Sequence, residues 1–290
     1  DGIRYVERSR GLGDVYKRQL IMNAKREIGA AFASVLLVCC GACGGGGSSS
    51  REEYRFTTGG THEKVITWYP GGATPNEVVT YDGSKKIMET HYHPNGVVWS
   101  IAHFNGKNIR HGTWNEWFDN KKPASQKNYV NNLKHGVFIE WYRNGQKAFE
   151  GQYNMDNPVG EHKEWYQNGQ LKSTITYVNG KPEGKAVYYY ENGQKEKEIE
   201  YRNGLKDGLL IEYYESGRKK MEKRFRNGKP NGIAQAWHSN GQLNWKIGFL
   251  NDKRHGVDVA YDRMGRKMWE GQNSYGKKSG HWIFYKEGRK

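Results

Sequence analysis

Glu116, Glu140, Glu164 and Glu212 fall at multiples of 24 residues, and paired carboxylates at a fixed separation are the tools of acid–base hydrolysis. If each 24-residue unit supplies two strands, Glu140 and Glu164 lie ~9.6 Å apart, close to the spacing of inverting glycosidases. A catalytic pair, however, needs one carboxylate whose surroundings differ from the other's. A spacing copied from unit to unit gives every copy the same surroundings. The glutamates therefore read as cross-strand partners for lysine, and the chain as a non-enzymatic protein.

His91 and His93, in the stretch HYH, would share one strand face and could hold a metal, but no cysteine or carboxylate cluster accompanies them in the sequence. They read as isolated surface histidines, and no metal or cofactor is expected. No phosphate-cradling loop is present either, because glycine here punctuates turns and never opens a helix.

Cys40 and Cys43 could form a Cys-x-x-Cys site, yet there is no second pair for zinc and no βαβ context for redox work. Their setting suggests another chemistry. Lys25 and Arg26 precede an apolar run from Ile28 to Cys40, and then come CGAC and GGGGSSS. That order resembles a bacterial lipoprotein signal, whose cysteine takes a lipid at the new N-terminus. Cys43 is the expected lipidation site, after Gly41 and Ala42; Cys40, with Leu37 three residues before it, is the fallback. Gly44 follows Cys43 where aspartate would mark inner-membrane retention, so outer membrane or cell surface is expected, with export in a bacterium. The upstream stretch ends in DVYKRQ, which matches the translation of a transposon-end sequencing adapter. Residues 1–21 thus read as non-native, 22–43 as a lipoprotein-type signal peptide and 44–53 as a Gly/Ser tether.

Stepping through the rest of the chain, one octapeptide recurs: EWYRNGQK at 140, EWYQNGQL at 164, YYYENGQK at 188, EYYESGRK at 212 and AWHSNGQL at 236. Such self-similarity outranks any local signal. Glycines close the units at 112, 136, 160, 184, 208, 232, 256 and 280. Five residues into each stands a ring: Trp117, Trp141, Trp165, Tyr189, Tyr213, Trp237, Tyr261 and Tyr285. Twelve further on come Tyr129, Tyr153, Tyr177, Tyr201, Phe225 and Phe249, with Asn273 the exception. The period is too short for two helices and suits a hairpin. The expectation is an all-β, elongated, twisted single-layer antiparallel meander of about eight to ten hairpin repeats. It would cover residues 54–290, with irregular units at 54–111 and regular ones at 112–290.

Loop length decides which side chains share a face. A three-residue loop, Glu191-Asn192-Gly193, with glycine left-handed, groups Val187 and Tyr189 with Ile199 and Tyr201. It likewise groups Val137, Ile139 and Trp141 with Phe149 and Tyr153, and Ile233 and Trp237 with Leu243, Trp245, Ile247 and Phe249. The other face would carry the glutamates beside Phe118, Tyr142, Tyr166, Tyr190 and Tyr214.

EWYRNGQKAFEGQY and YYENGQKEKEIEYRNGLKDG resemble units of the MORN-repeat variant family. The resemblance implies a β-hairpin scaffold, and the family's bacterial members are often catalogued as antitoxin components of toxin–antitoxin systems. Formal charge is +15, of which residues 1–50 carry +3, so the excess is spread along the repeats and keeps exposed strands soluble. Nucleic acid is not the expected partner. An unidentified protein partner or self-association is expected at the column from Trp117 to Tyr285, with Tyr142, Tyr166, Tyr190 and Tyr214 as a glycan-stacking alternative. A toxin partner is the other alternative.

Overall fold

The computed structural model describes residues 60–286 and, as strand backbone, Val35–Cys39 and Glu52–Phe56. Cys40, Cys43 and the Gly/Ser run to residue 51 lie outside the described residues. Val35–Cys39, inside the segment read as an export signal, pairs with Glu52–Phe56, which pairs in turn with Thr61–Trp68.

All described elements are strands of one antiparallel sheet, with no helix among the described residues. Sustained contact joins strands that follow one another along the chain, passing over only the two-residue strands Leu133–Lys134 and Lys181–Pro182. The sheet is therefore open, an elongated ribbon in which each hairpin leans on the next, as expected of a 24-residue repeat.

Two kinds of turn build each unit, and Asn-Gly serves in both kinds. In the first, Tyr142 N donates to the Gln146 carbonyl and Gly145 N to the Tyr142 carbonyl, both at 2.8 Å. The loop is thus Arg143-Asn144-Gly145, with Gly145 at φ 93°, the three-residue form expected. Tyr190, Glu191-Asn192-Gly193 and Gln194 repeat it. The second turn has two residues. Val178 pairs with Lys181 across Asn179-Gly180, both left-handed at φ 49° and 78°, which is the primed turn that matches strand twist. Asn203-Gly204 and Asn227-Gly228 follow suit.

The expected grouping of faces is overturned by one extra residue per unit. Trp141 pairs with Lys147, but Glu140 pairs with Phe149, leaving Ala148 bulged. The same bulge follows Glu116, Glu164, Tyr188, Glu212, Ala236 and Ala260. A single inserted residue inverts the alternation of side chains. Hence Val137, Ile139 and Trp141 face away from Phe149 and Tyr153, and Val187 and Tyr189 away from Ile199 and Tyr201. Trp237 keeps Leu243 on its side but loses Trp245, Ile247 and Phe249. The glutamates join the Tyr153 face.

That face is the packed one. Ala186, Ala234, Phe138, Ile199 and Leu210 are all buried there. Rings interleave along it: Trp114 to Tyr129 at 6.0 Å, Tyr129 to Phe138 at 5.6 Å, Phe138 to Tyr153 at 4.8 Å, Tyr153 to His162 at 5.2 Å and His162 to Tyr177 at 4.7 Å. Each such pair contributes about 0.5–1.5 kcal/mol beyond its buried area. Ring size is met by absence of side chain opposite: a Cβ on Gly151 would lie 2.7 Å from the His162 ring, and one on Gly271 2.3 Å from Trp282. A one-layer sheet thus makes a core from its own side chains.

Candidate interaction face

The opposite face carries the eight-ring column. Because every unit contains the same bulges, Trp117, Trp141, Trp165, Tyr189, Tyr213, Trp237 and Tyr261 stay in phase at ~9.6 Å intervals, and all are half-buried. Beside them Ile233 and Val257 stand 50% and 54% exposed.

A comb of ion pairs lies between the rings. Lys147 meets Glu150 at 2.7 Å, Lys195 Glu198 at 2.5 Å, Lys219 Glu222 at 2.6 Å and Lys267 Glu270 at 2.7 Å. Two of these lysines lean on the next ring: Lys147 lies 5.3 Å from the Trp165 centroid and Lys219 5.4 Å from Trp237, within cation–π reach. Glu198 is the best enclosed of the set. Burial would raise its pKa, but Lys195, Lys185 and the Tyr213 hydroxyl outweigh burial and hold it below the usual carboxylate range. Burial, with Glu198 adding to it, pushes the Tyr213 hydroxyl up.

The glycan-stacking candidates occupy a different position and do a different job. Tyr142 Oη donates to the Trp165 carbonyl at 2.8 Å, Tyr166 to Tyr189 at 2.7 Å, Tyr190 to Tyr213 at 2.8 Å and Tyr214 to Trp237 at 2.7 Å. Each hydroxyl therefore clasps its unit to the next. Tyr69 does the same to Tyr92, and the rings of His93 and His238 reach the carbonyls of Trp117 and Tyr261. A parallel clasp runs through the turns. The Asn144 side-chain oxygen accepts from Gln146 N, while its amide donates to the Gln167 carbonyl of the neighbouring turn at 2.8 Å. Asn168, Asn192 and Asn240 repeat both bonds. Asn-Gly signals turn chemistry in the sequence; the second use of asparagine leaves its signal only in the 24-residue spacing.

Three of the four glutamates in the column, Glu116, Glu140 and Glu164, are met by lysine. Lys127 lies 3.2 Å from Glu116 and 3.7 Å from Glu140, and Lys172 3.0 Å from Glu164. The Ser125 hydroxyl donates to Glu116 as well. His91 and His93 are not isolated on the surface. Both are half-buried; His93 serves the clasp above, and His91 Nε2 lies 2.6 Å from Glu89 Oε1.

Five consecutive units match the family model described as MORN repeat variant, over residues 78–105, 110–131, 134–155, 158–179 and 182–203. The last four windows begin 24 residues apart, in the frame of the bulges and clasps. Beyond residue 203 the same strand register continues to Phe284. No curated protein matches the chain.

Proposed function

We propose that the chain is a non-enzymatic, lipid-anchored envelope protein whose MORN-type scaffold holds a protein partner along the column from Trp117 to Tyr285. One observation carries this reading. The rings that would be expected in the core stand instead on the face opposite it, half-exposed and evenly spaced. Their columns add a lysine and a carboxylate to each ring in four of the units. Aromatic rings flanked by charge are what protein interfaces concentrate at their anchors. A toxin would use the same face, and no feature of the face singles one out. Sugar stacking on Tyr142 and its equivalents is disfavoured, since their hydroxyls already serve as clasps.

Two experiments test the two halves of the proposal. Crosslinking from envelope extracts, with residues 51–290 as bait, should capture a partner that Trp141→Ala plus Trp165→Ala releases and Glu140→Gln retains. Equal capture by the tryptophan variant overturns the assignment of the face. Labelled palmitate should enter the full chain and be lost in Cys43→Ala, or in Cys40→Ala if that residue is the acceptor. No incorporation in wild type removes the anchor.

A further inference from the structure

Glu77 and Glu89 bring two carboxylates to one patch of the ribbon beside an imidazole. Glu116, Glu140, Glu150, Glu164, Glu198, Glu222 and Glu270 each have a lysine within ion-pair reach. Glu77 has none, although it lies beside a second carboxylate. Its ligand oxygen, one from Glu89 and a ring nitrogen of His91 all fall within 4.8 Å of one another. Register fixes the arrangement. Glu77 is directly opposite His91 in the ladder, and Glu89 is two residues before His91, hence on the same face. Among the described residues Lys86 is the one lysine or arginine that answers the two negative charges, and it reaches Glu89 alone.

The cluster also departs from the repeat. Glu140 and its equivalents recur because the unit recurs, but Glu77, Glu89 and His91 occur together once, in the irregular units. It is half-buried, so water is thinned but an entry path remains. We propose that Glu77, Glu89 and His91 form a site for one divalent transition-metal ion that staples the strands Pro75–Asp82 and Lys85–Tyr92. Two carboxylates and an imidazole suit zinc, manganese or cobalt, and three protein ligands leave a coordination position for water. The cation supplies the charge that Glu77 lacks, and Lys86 is its competitor for Glu89.

The test uses the full chain. Titration with Zn2+ in a calorimeter should show one site, weakened at least roughly 10–100-fold by Glu77→Gln or by His91→Ala, since losing even a residue that only supports a ligand costs that much. Lys86→Met should tighten it, because the competing ammonium is gone. That opposite sign separates the proposal from simple loss of folding. Co2+ gives a second readout: the Trp99 ring lies 5.7 Å from His91, so binding should quench a component of fluorescence that Trp99→Phe removes. Zn2+ uptake unchanged in Glu77→Gln and His91→Ala, unchanged or weaker binding by Lys86→Met, or a Co2+ quench that persists in full without Trp99 would each overturn the site.

Discussion

The tyrosine clasps can be measured by replacing four hydroxyls and nothing else. Tyr142, Tyr166, Tyr190 and Tyr214 each donate one bond of 2.7–2.8 Å to a carbonyl 23 residues on. Tyr→Phe keeps the ring and removes the donor, so each substitution should cost about 1 kcal/mol, with the orphaned carbonyl included. Neighbouring clasps are ~9.6 Å apart, far enough for near-additive effects. The quadruple variant should lose ~4 kcal/mol, a large share of the ~5–15 kcal/mol that holds a domain folded. Because each clasp ties one unit to the next, unfolding should also become less cooperative. Urea denaturation followed by tryptophan fluorescence reads both, as a lower midpoint and a shallower transition. A quadruple variant within ~0.5 kcal/mol of wild type, below the cost of even a weak hydrogen bond, with unchanged steepness, would refute the clasp. The same variant separates structure from sugar binding. Phenylalanine still stacks, so retention on glycan would survive Tyr→Phe if those rings bound sugar, whereas Tyr→Ala confounds the two effects.

Three further predictions follow from single sites. Met155 occupies a left-handed turn position at φ 48° where most other units place asparagine, so Met155→Asn should stabilise by about 0.5–1 kcal/mol in urea melts, since asparagine tolerates that region. Lys195→Met should destabilise by about 1 kcal/mol at neutral pH, a figure held down by the exposure of the lysine. Glu198 has a folded pKa below its unfolded value, so its contribution is present above the unfolded pKa and lost as pH falls through the folded one. That acid-side loss should therefore shrink in Lys195→Met, which stability measured against pH will show. Burial raises the pKa of Asp258, a residue with no exposed surface, despite Arg254, Gly248 and Asn273 beside it. Its contribution is fullest below the unfolded pKa and declines as pH rises through the folded one. Asp258→Asn should accordingly be at least as stable as wild type at pH 7 and should lack that decline.

The period, the hairpins and the three-residue loop were legible because glycine and aromatic spacing report them directly. The assignment of faces was not. It depended on Ala148 and its equivalents, residues with no common chemistry: the position holds Ala148, Lys172, Glu196 and Met268 in different units. A bulge of this kind is specified by the strands around it, not by a residue type, so alternation counted from the loop outward runs true to Trp141 and then inverts. The unit-closing glycines carry a second bulge. Glu150 pairs with Lys163 and Gln152 with Val159, with Gly160 at φ 70° inside the irregularity. That one skips two residues and leaves the faces unchanged, which is why the columns stay in phase from unit to unit.

Departures from the repeat are informative when they come in touching pairs. Asn273 stands where the other units have Tyr or Phe, and Asp258 where they have Ala, Leu, Phe, His or Trp. The Asn273 amide donates to Asp258 Oδ2 at 2.6 Å, so one polar substitution answers the other across 15 residues. The lysine–glutamate comb behaves likewise. Units with Lys147, Lys195, Lys219 and Lys267 carry Glu150, Glu198, Glu222 and Glu270, whereas Leu171 faces Thr174 and Leu243 accompanies Lys246. A carboxylate in a ladder is thus kept where a cation three residues away offsets it, and dropped where leucine stands instead. Placed beside those pairs, Glu77 and Glu89 share a single lysine at one patch, and the proposed cation would supply the missing half.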